Sequence, residues 1–344
     1  MSTLLDRVEV YHLQAQHSDF DMAFRKDWIE KWSEYAPIKM AVSDVETGHS
    51  LSYHQLNSQS NYLAGRLERM GLKPGDRLVV ISEFRSEYIV ILGAAMRLGI
   101  IVVPLNYRLS AREVSFMIND CNPQIIIYEV KFEHLYAKEF IDIQVAHVTS
   151  MKELSLDLTD RLEVEFFYEA KELPDNHPLF IIYTSGTTGF PKGAIYTYEM
   201  AFWNAVNTQS RLNITSEDHT VICMPPFHTG GWNVLLIPFL FQGGSFTLLR
   251  KFEASHVLQL LEGEEATLFM GVPTMLKMMS EAKEFEKVDL ASLRYFVVGG
   301  EAMPLELIEC WENKGIPIRQ GFGLTEVGPN VFSLHHDDAI RKIG

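Results

Sequence analysis

Between residues 77 and 128 the chain switches repeatedly between continuous apolar runs and helical stretches, and this alternation restricts the fold more than any other feature. Leu78-Val79-Val80-Ile81 is the first run, and residues 87–98 are a largely apolar helical stretch. Residues 100–103 are a second run, and residues 112–120 read as a helix with Val114 and Met117 or Ile118 inward. Gln124-Ile125-Ile126-Ile127-Tyr128 closes the series. Short apolar strands separated by helices predict βαβαβ, and so a parallel sheet covered by helices on both faces. An earlier helix over residues 56–70 places Leu56, Leu63, Leu67 and Met70 on one stripe.

A second unit repeats the pattern without repeating the sequence. Residues 254–261, 273–282 and 305–311 read as helices, and residues 267–270, 295–298 and 316–319 as strands. Residues 131–176 are charged and poorly periodic, and they read as a connector ending in Leu173-Pro174-Asp175-Asn176-His177-Pro178. The expected fold class is α/β: two packed βαβ-type, parallel-rich sheets flanked by helices, with a small β region. The expected division is a first α/β subdomain with its connector over 1–176 and a second α/β subdomain, which carries the glycine-rich segments, over 177–344.

Composition limits the ligand classes. Forty-five acidic and thirty basic residues leave a net charge of −15, which disfavours nucleic-acid or anionic-membrane binding through bulk charge. An anionic ligand has to be met by local groups. Cys121, Cys223 and Cys310 are far apart, without the spacing of a zinc site or disulfide framework. The longest apolar stretches, such as residues 234–241, are too short to span a bilayer, and no signal-peptide pattern opens the chain. The expectation is a soluble, cytoplasmic protein with no integral membrane segment.

The local groups are concentrated in Tyr183-Thr184-Ser185-Gly186-Thr187-Thr188-Gly189-Phe190-Pro191-Lys192-Gly193. Glycines let backbone N–H groups close on an anion, the hydroxyls add donors, and Lys192 adds a charge that can follow a departing phosphate. A Walker A loop needs Gly-Lys-Ser/Thr leading into a helix. Here Pro191 stands at the second glycine's position, and Ala194-Ile195-Tyr196-Thr197-Tyr198 reads as another strand. The arrangement is therefore strand, phosphate loop, strand.

Two further segments follow in order: Val297-Val298-Gly299-Gly300-Glu301-Ala302-Met303-Pro304 and Gln320-Gly321-Phe322-Gly323-Leu324-Thr325-Glu326. The glycine-bearing loops predicted after the strands at Val298 and Arg319 put both at carboxyl strand ends, where open α/β sheets bind ligands. Together the three segments resemble the signatures of the adenylate-forming superfamily, in its acyl-CoA synthetase branch, from about Gly71 to the last residue.

That resemblance implies the amino-terminal domain of the acyl-CoA synthetase-like fold and a reaction in two steps. A carboxylate, a fatty acid above all, reacts with ATP to give acyl-adenylate and pyrophosphate. Coenzyme A then displaces AMP to give acyl-CoA. It assigns the β- and γ-phosphates to Thr184, Ser185, Gly186, Thr187, Thr188, Gly189 and Lys192. Gly299, Gly300, Glu301, Gly321, Phe322 and Gly323 become the adenine pocket, with Phe322 where relatives often carry tyrosine. Thr325 is assigned to the α-phosphate and Glu326 to Mg2+, for which a carboxylate is a suitable hard ligand. Read without the resemblance, Glu301 equally suits a helix cap, and so does the Thr325-Glu326 pair.

Pro225-Pro226-Phe227-His228-Thr229-Gly230-Gly231-Trp232-Asn233 carries the substrate expectation. His228 resembles the histidine or aromatic near the acyl site and thiol entrance of acyl-CoA synthetases. No aspartate stands beside Phe227 to hold an ammonium, which disfavours an amino-acid-activating module. Trp232, Val272 and Thr274 are expected as pocket wall. His335-His336-Asp337-Asp338 reads as a solvated loop, since adjacent side chains seldom converge on one ion.

Relatives continue past the position of Gly344. The resemblance therefore implies that the ribose-binding aspartate, the hinge and the mobile carboxyl-terminal domain with its lysine lie beyond this sequence. Exposed apolar surface and self-association, a homodimer included, are expected on that account. So is a nucleotide-binding fragment without turnover as the alternative function.

Overall fold

The computed structural model describes residues 27–162, 164–185 and 190–340. In chain order the strands are β1 (Met40–Asp44), β2 (Ser50–Ser52), β3 (Arg77–Ile81), β4 (Ile101–Pro104), β5 (Ile125–Tyr128), β6 (His147–Ser150) and β7 (Pro178–Thr184). They continue as β8 (Lys192–Thr197), β9 (His219–Ile222), β10 (Ser245–Leu248), β11 (Leu268–Gly271), β12 (Tyr295–Val298), β13 (Ile318–Leu324) and β14 (Gly328–Ser333). One sheet has the order β14-β13-β12-β11-β9-β10-β1-β2, and the other β6-β5-β3-β4-β7-β8. Pairing is parallel inside both sheets and antiparallel only between β1 and β2, β13 and β14, and β7 and β8, at the margins. Every described strand belongs to one of these sheets, so the expected small β region resolves into the antiparallel margins.

The period-2 geometry of the strands divides their side chains between cores. Leu78 and Val80 join Val42, Phe246 and Leu268 in a core shared by both sheets, whereas Val79 and Ile81 face the other way, onto the helix Ala111–Cys121. The helix Ser86–Leu98 is buried along its whole length, as a helix apolar on all sides must be. Its one guanidinium, Arg97, is satisfied by Asp27 at 2.6 Å and by Asn57. Val221, Phe269, Phe296 and Ile318 back onto helices Ala254–Gly263, Pro273–Ser280 and Leu305–Asn313.

Three expectations change. Residues 131–176 are not only a connector: they contain β6 and the helix Met151–Thr159. β6 is an edge strand with only Ser150 buried, so it carries no apolar signature. The helix start was legible as a capping box, in which Ser150 Oγ accepts from Glu153 N and Glu153 accepts from Ser150 N. The sheets also do not divide the chain at 176/177. β1 and β2 lie in the larger sheet with the carboxyl-terminal strands, while β7 and β8 extend the smaller one. Finally, Gly321-Phe322-Gly323-Leu324 is not a loop but the continuation of β13, held by antiparallel pairing to β14.

Candidate active site

β7 runs antiparallel to β8, with Thr184 opposite Lys192, so the two strands that flank the glycine-rich segment are paired at the margin of the smaller sheet. Gly186, Thr187, Thr188 and Gly189 lie outside the described residues. On either side of them, Thr184 and Ser185 line a cavity of about 830 Å³, and so do Phe190 and Pro191. The same cavity is lined by His228 and by Thr325, which come from the larger sheet. Three segments separated by some forty to a hundred residues thus converge on one space. Lys192 is exposed at the start of β8, and the 3-10 turn Thr325–Val327, with Glu326 exposed on it, packs against that strand.

The two glycine motifs abut. A Cβ placed on Gly299 would stand 3.5 Å from the Gly321 carbonyl, and Gly300 adopts φ +89°, a left-handed conformation that suits glycine. Gln320, which was not assigned a role from sequence, fixes this junction: its Oε1 accepts from Met303 N at 3.1 Å. Phe322 is 59% exposed, with its ring 6.1 Å from that of Phe332. The helix-cap readings fail. Pro304 stands at the N-cap of Leu305–Asn313 and Leu324 at that of the Thr325–Val327 turn, each without a side-chain cap, so neither Glu301 nor Thr325 occupies the cap position.

His228 faces the cavity but is crowded by protein on its other sides, with the Phe227 ring 5.0 Å away. Desolvation, and then the positive charge of Arg108, hold its pKa below the ordinary histidine value. It is a neutral imidazole at pH 7, able to orient a substrate group without adding charge. Arg108 itself lies over the Phe227 ring at 5.5 Å, and Asn106 and Arg112 line the cavity. Sequence reasoning did not single out these residues, because isolated polar residues after a strand carry no motif.

The expected pocket wall is corrected. Trp232 is fully buried between the sheets, its ring 4.6 Å from Phe84 and 5.1 Å from Phe180, and its indole N–H donates to Pro226 O at 2.6 Å. It shapes the turn that presents His228 and does not touch the cavity. Val272 and Thr274 are not among the lining residues either. Val272 sits beside Gly300, and Thr274 is exposed. Thr274 fails because a helix start, Pro273–Ser280, turns it to solvent.

His335, His336 and Asp337 do converge, with His Nδ1 or Nε2 atoms 3.2 and 3.3 Å from the Asp337 carboxylate. The His335 Nδ1 lone pair, however, accepts from Asp337 N, so the cluster is a hydrogen-bonded turn.

A profile of the family described as AMP-binding enzyme matches residues 29–344. The chain belongs to that family. Among curated relatives, it is 31% identical over 315 residues to "Long-chain-fatty-acid--CoA ligase FadD13" of Mycobacterium tuberculosis, covering 90% of this chain and 61% of that protein. It is 30% identical over 299 residues to "Feruloyl-CoA synthase" of Amycolatopsis sp, covering 86% of this chain and 59% of that one. The chain therefore spans about three fifths of the length of these relatives. The inhibitor-bound N-terminal domain of FACL13 from M. tuberculosis superposes with TM-score 0.84 at 28% identity, covering 92% of this chain and 80% of that one. MenE from Bacillus subtilis, in complex with its acyl-adenylate intermediate OSB-AMP, superposes with TM-score 0.80 at 26% identity over 92% of this chain and 62% of that one. The two-sheet architecture is that of these family members.

Proposed function

We propose that this protein activates a carboxylic acid with ATP and passes the acyl group to coenzyme A, a fatty acid being the simplest substrate. The observation that carries the proposal is the convergence of Thr184, Ser185, His228 and Thr325 on one cavity, with Lys192 and Glu326 at its border. Names of family relatives, which are CoA ligases, support it.

The acid's carboxylate attacks the α-phosphorus, the bond to the bridging oxygen breaks, and pyrophosphate leaves. Thr325 donates to the α-phosphate as negative charge builds there. Hydroxyls of the hairpin and the Lys192 ammonium hold the β- and γ-phosphates and travel with the leaving group. The donor set suits magnesium: one exposed hard carboxylate, Glu326, beside the phosphate positions, leaving room for phosphate oxygens and water. When bound, that ion would neutralise triphosphate charge. In the second step the thiol attacks the mixed anhydride and AMP leaves. Neutral His228 lies where it can orient either the carboxylate or the thiol.

No aspartate stands beside Phe227 and His228, which supports an acid lacking an α-ammonium. A cytosolic setting is supported by three cysteines that are all free, and among the described residues no helix is long and apolar enough to cross a membrane.

The test is calorimetric titration with Mg-ATP and with a non-hydrolysable acyl-adenylate mimic, for the wild type and for Lys192→Ala and Glu326→Ala. Each variant is expected to weaken Mg-ATP binding about ten- to a hundredfold, the usual worth of a charge-assisted contact, and to leave the mimic, which lacks the pyrophosphate, much less affected. Unchanged Mg-ATP affinity in both variants would overturn the assignment.

A further inference from the structure

Asn330 lies on β14, five positions after Thr325, and its side chain reaches a distant part of the chain. Its amide nitrogen is within hydrogen-bond distance of three oxygens: Thr208 Oγ1 at 2.7 Å, Val234 O at 3.1 Å and Asn233 O at 3.3 Å. Backbone carbonyls only accept, so the nitrogen of the amide has to face them. The two carbonyls end the short helix Thr229–Asn233, which begins directly after His228. In a continuing helix the Val234 carbonyl would be met by the N–H four residues on, but that residue is Pro238, which has none. Asn330 supplies the donor. Asn204, buried on the helix Tyr198–Leu212 that also carries Thr208, donates to the same Asn233 carbonyl at 2.6 Å.

Both ends of this connection are stiff. The Asn233 side chain donates to Thr229 Oγ1 at 3.0 Å, which ties the far end of the short helix to the residue after His228, and the Trp232 indole holds the preceding turn at Pro226 O. A shift at Asn233 is therefore passed to His228. On the other side, one 3-10 turn, Thr325–Val327, separates Thr325 from β14. Leu324 before it pairs with Gly328 after it, and Pro329, next to Asn330, packs so closely on Gly323 that no Cβ fits between them. Thr325 thus moves with Asn330. His228 and Thr325 are 97 positions apart and line the same cavity, and Asn330 directly links the segments that carry them.

Resting on the activation reading above, we infer that Asn330 is a positioning residue: it fixes the spacing across the cavity between His228, at the acyl and thiol end, and Thr325, at the α-phosphate. Asn330 acts through the two turns it joins. A ligand that fills one end alone does not need the link, whereas one that spans the cavity needs both ends in register.

The experiment is calorimetry with AMP, which fills the nucleotide end alone, and with octanoyl-sulfamoyl-adenosine, which spans both ends. The proteins are the wild type, Asn330→Ala, His228→Ala and the double variant. Asn330→Ala is expected to weaken the spanning mimic about tenfold, within the range of coupling between residues of one network, and to leave AMP affinity within about twofold, which also shows that the variant is folded. In the His228→Ala background no group remains at that end to be misplaced, so Asn330→Ala is expected to add nothing further. Unchanged mimic affinity in Asn330→Ala, a loss of AMP binding as large as that of the mimic, or the same loss in both backgrounds overturns the inference and leaves the activation reading intact. Failure of the wild type to bind the mimic overturns the activation reading and this inference with it.

Discussion

His219 shows how far a single side chain's environment departs from its sequence context. Its ring is bracketed by hydroxyls, Ser245 Oγ at 2.8 Å and Thr247 Oγ1 at 3.1 Å, and burial pushes its pKa down to about 4. Glu264 lies 4.0 Å away, but it is partly solvated and too distant to offset the loss of hydration. The folded pKa is below the unfolded value of about 6.5, so as pH falls the unfolded chain takes up the proton first. The stability is complete above pH 6.5 and is lost progressively between 6.5 and about 4, by about 3 kcal/mol at most. His219→Gln should flatten the dependence of the urea midpoint on pH in that window, and an unchanged slope would show that another group titrates there. Sequence alone marked His228 by its motif and passed over His219, because nothing local distinguishes a histidine on a parallel strand from one on a surface.

Among elements, the β13–β14 hairpin shapes the glycine motif for which nucleotide binding is proposed. A Cβ at Gly323 would stand 1.9 Å from the Pro329 carbonyl oxygen and 2.3 Å from its carbon, a clash with backbone that no rotamer relieves. Gly323→Ala is expected to force the strands apart at a cost of about 2 kcal/mol, in the range of overpacking changes, and to weaken Mg-ATP binding with it. A urea midpoint and an ATP affinity both equal to wild type would mean that the hairpin is not what shapes the site. The sequence marked Gly323 as a point of close approach and assigned that approach to a ligand. In the structure the neighbour is Pro329, six residues along the same chain.

At the scale of the molecule, the sheets are tied together by buried charge at their carboxyl edges. Arg250, just past β10, reaches Asp44 at 3.6 Å in its own sheet and Glu129, just past β5 in the other, at 3.8 Å. Arg85 joins Glu129 at 3.6 Å, and Lys131 bridges Glu129 and Glu83. Arg250→Met leaves Asp44 and Glu129 without this shared cation. It is expected to cost about 3 kcal/mol, as removal of one partner of a buried pair does, and to make denaturant unfolding less cooperative as the sheets uncouple. A single sharp transition at the wild-type midpoint would show that the shared apolar core alone holds the sheets together.

What the sequence determined by itself was local: the identity of most core strands and helices, and the glycines, hydroxyls and charges from which the site is built. Periodicity is a property of neighbouring residues, so Leu78 to Ile81 and Gln124 to Tyr128 could be read without their partners. The tertiary structure decided what depends on distant partners. It sent β1 and β2 to the larger sheet and β7 and β8 to the smaller. It buried Trp232 against Phe84 and Phe180 when its motif pointed to a pocket wall. It also brought Arg211 to the same small groove as Gly321, 110 residues further along the chain. Strand order and burial are set by which apolar faces exclude water most completely together, a nonlocal sum that no window of sequence contains.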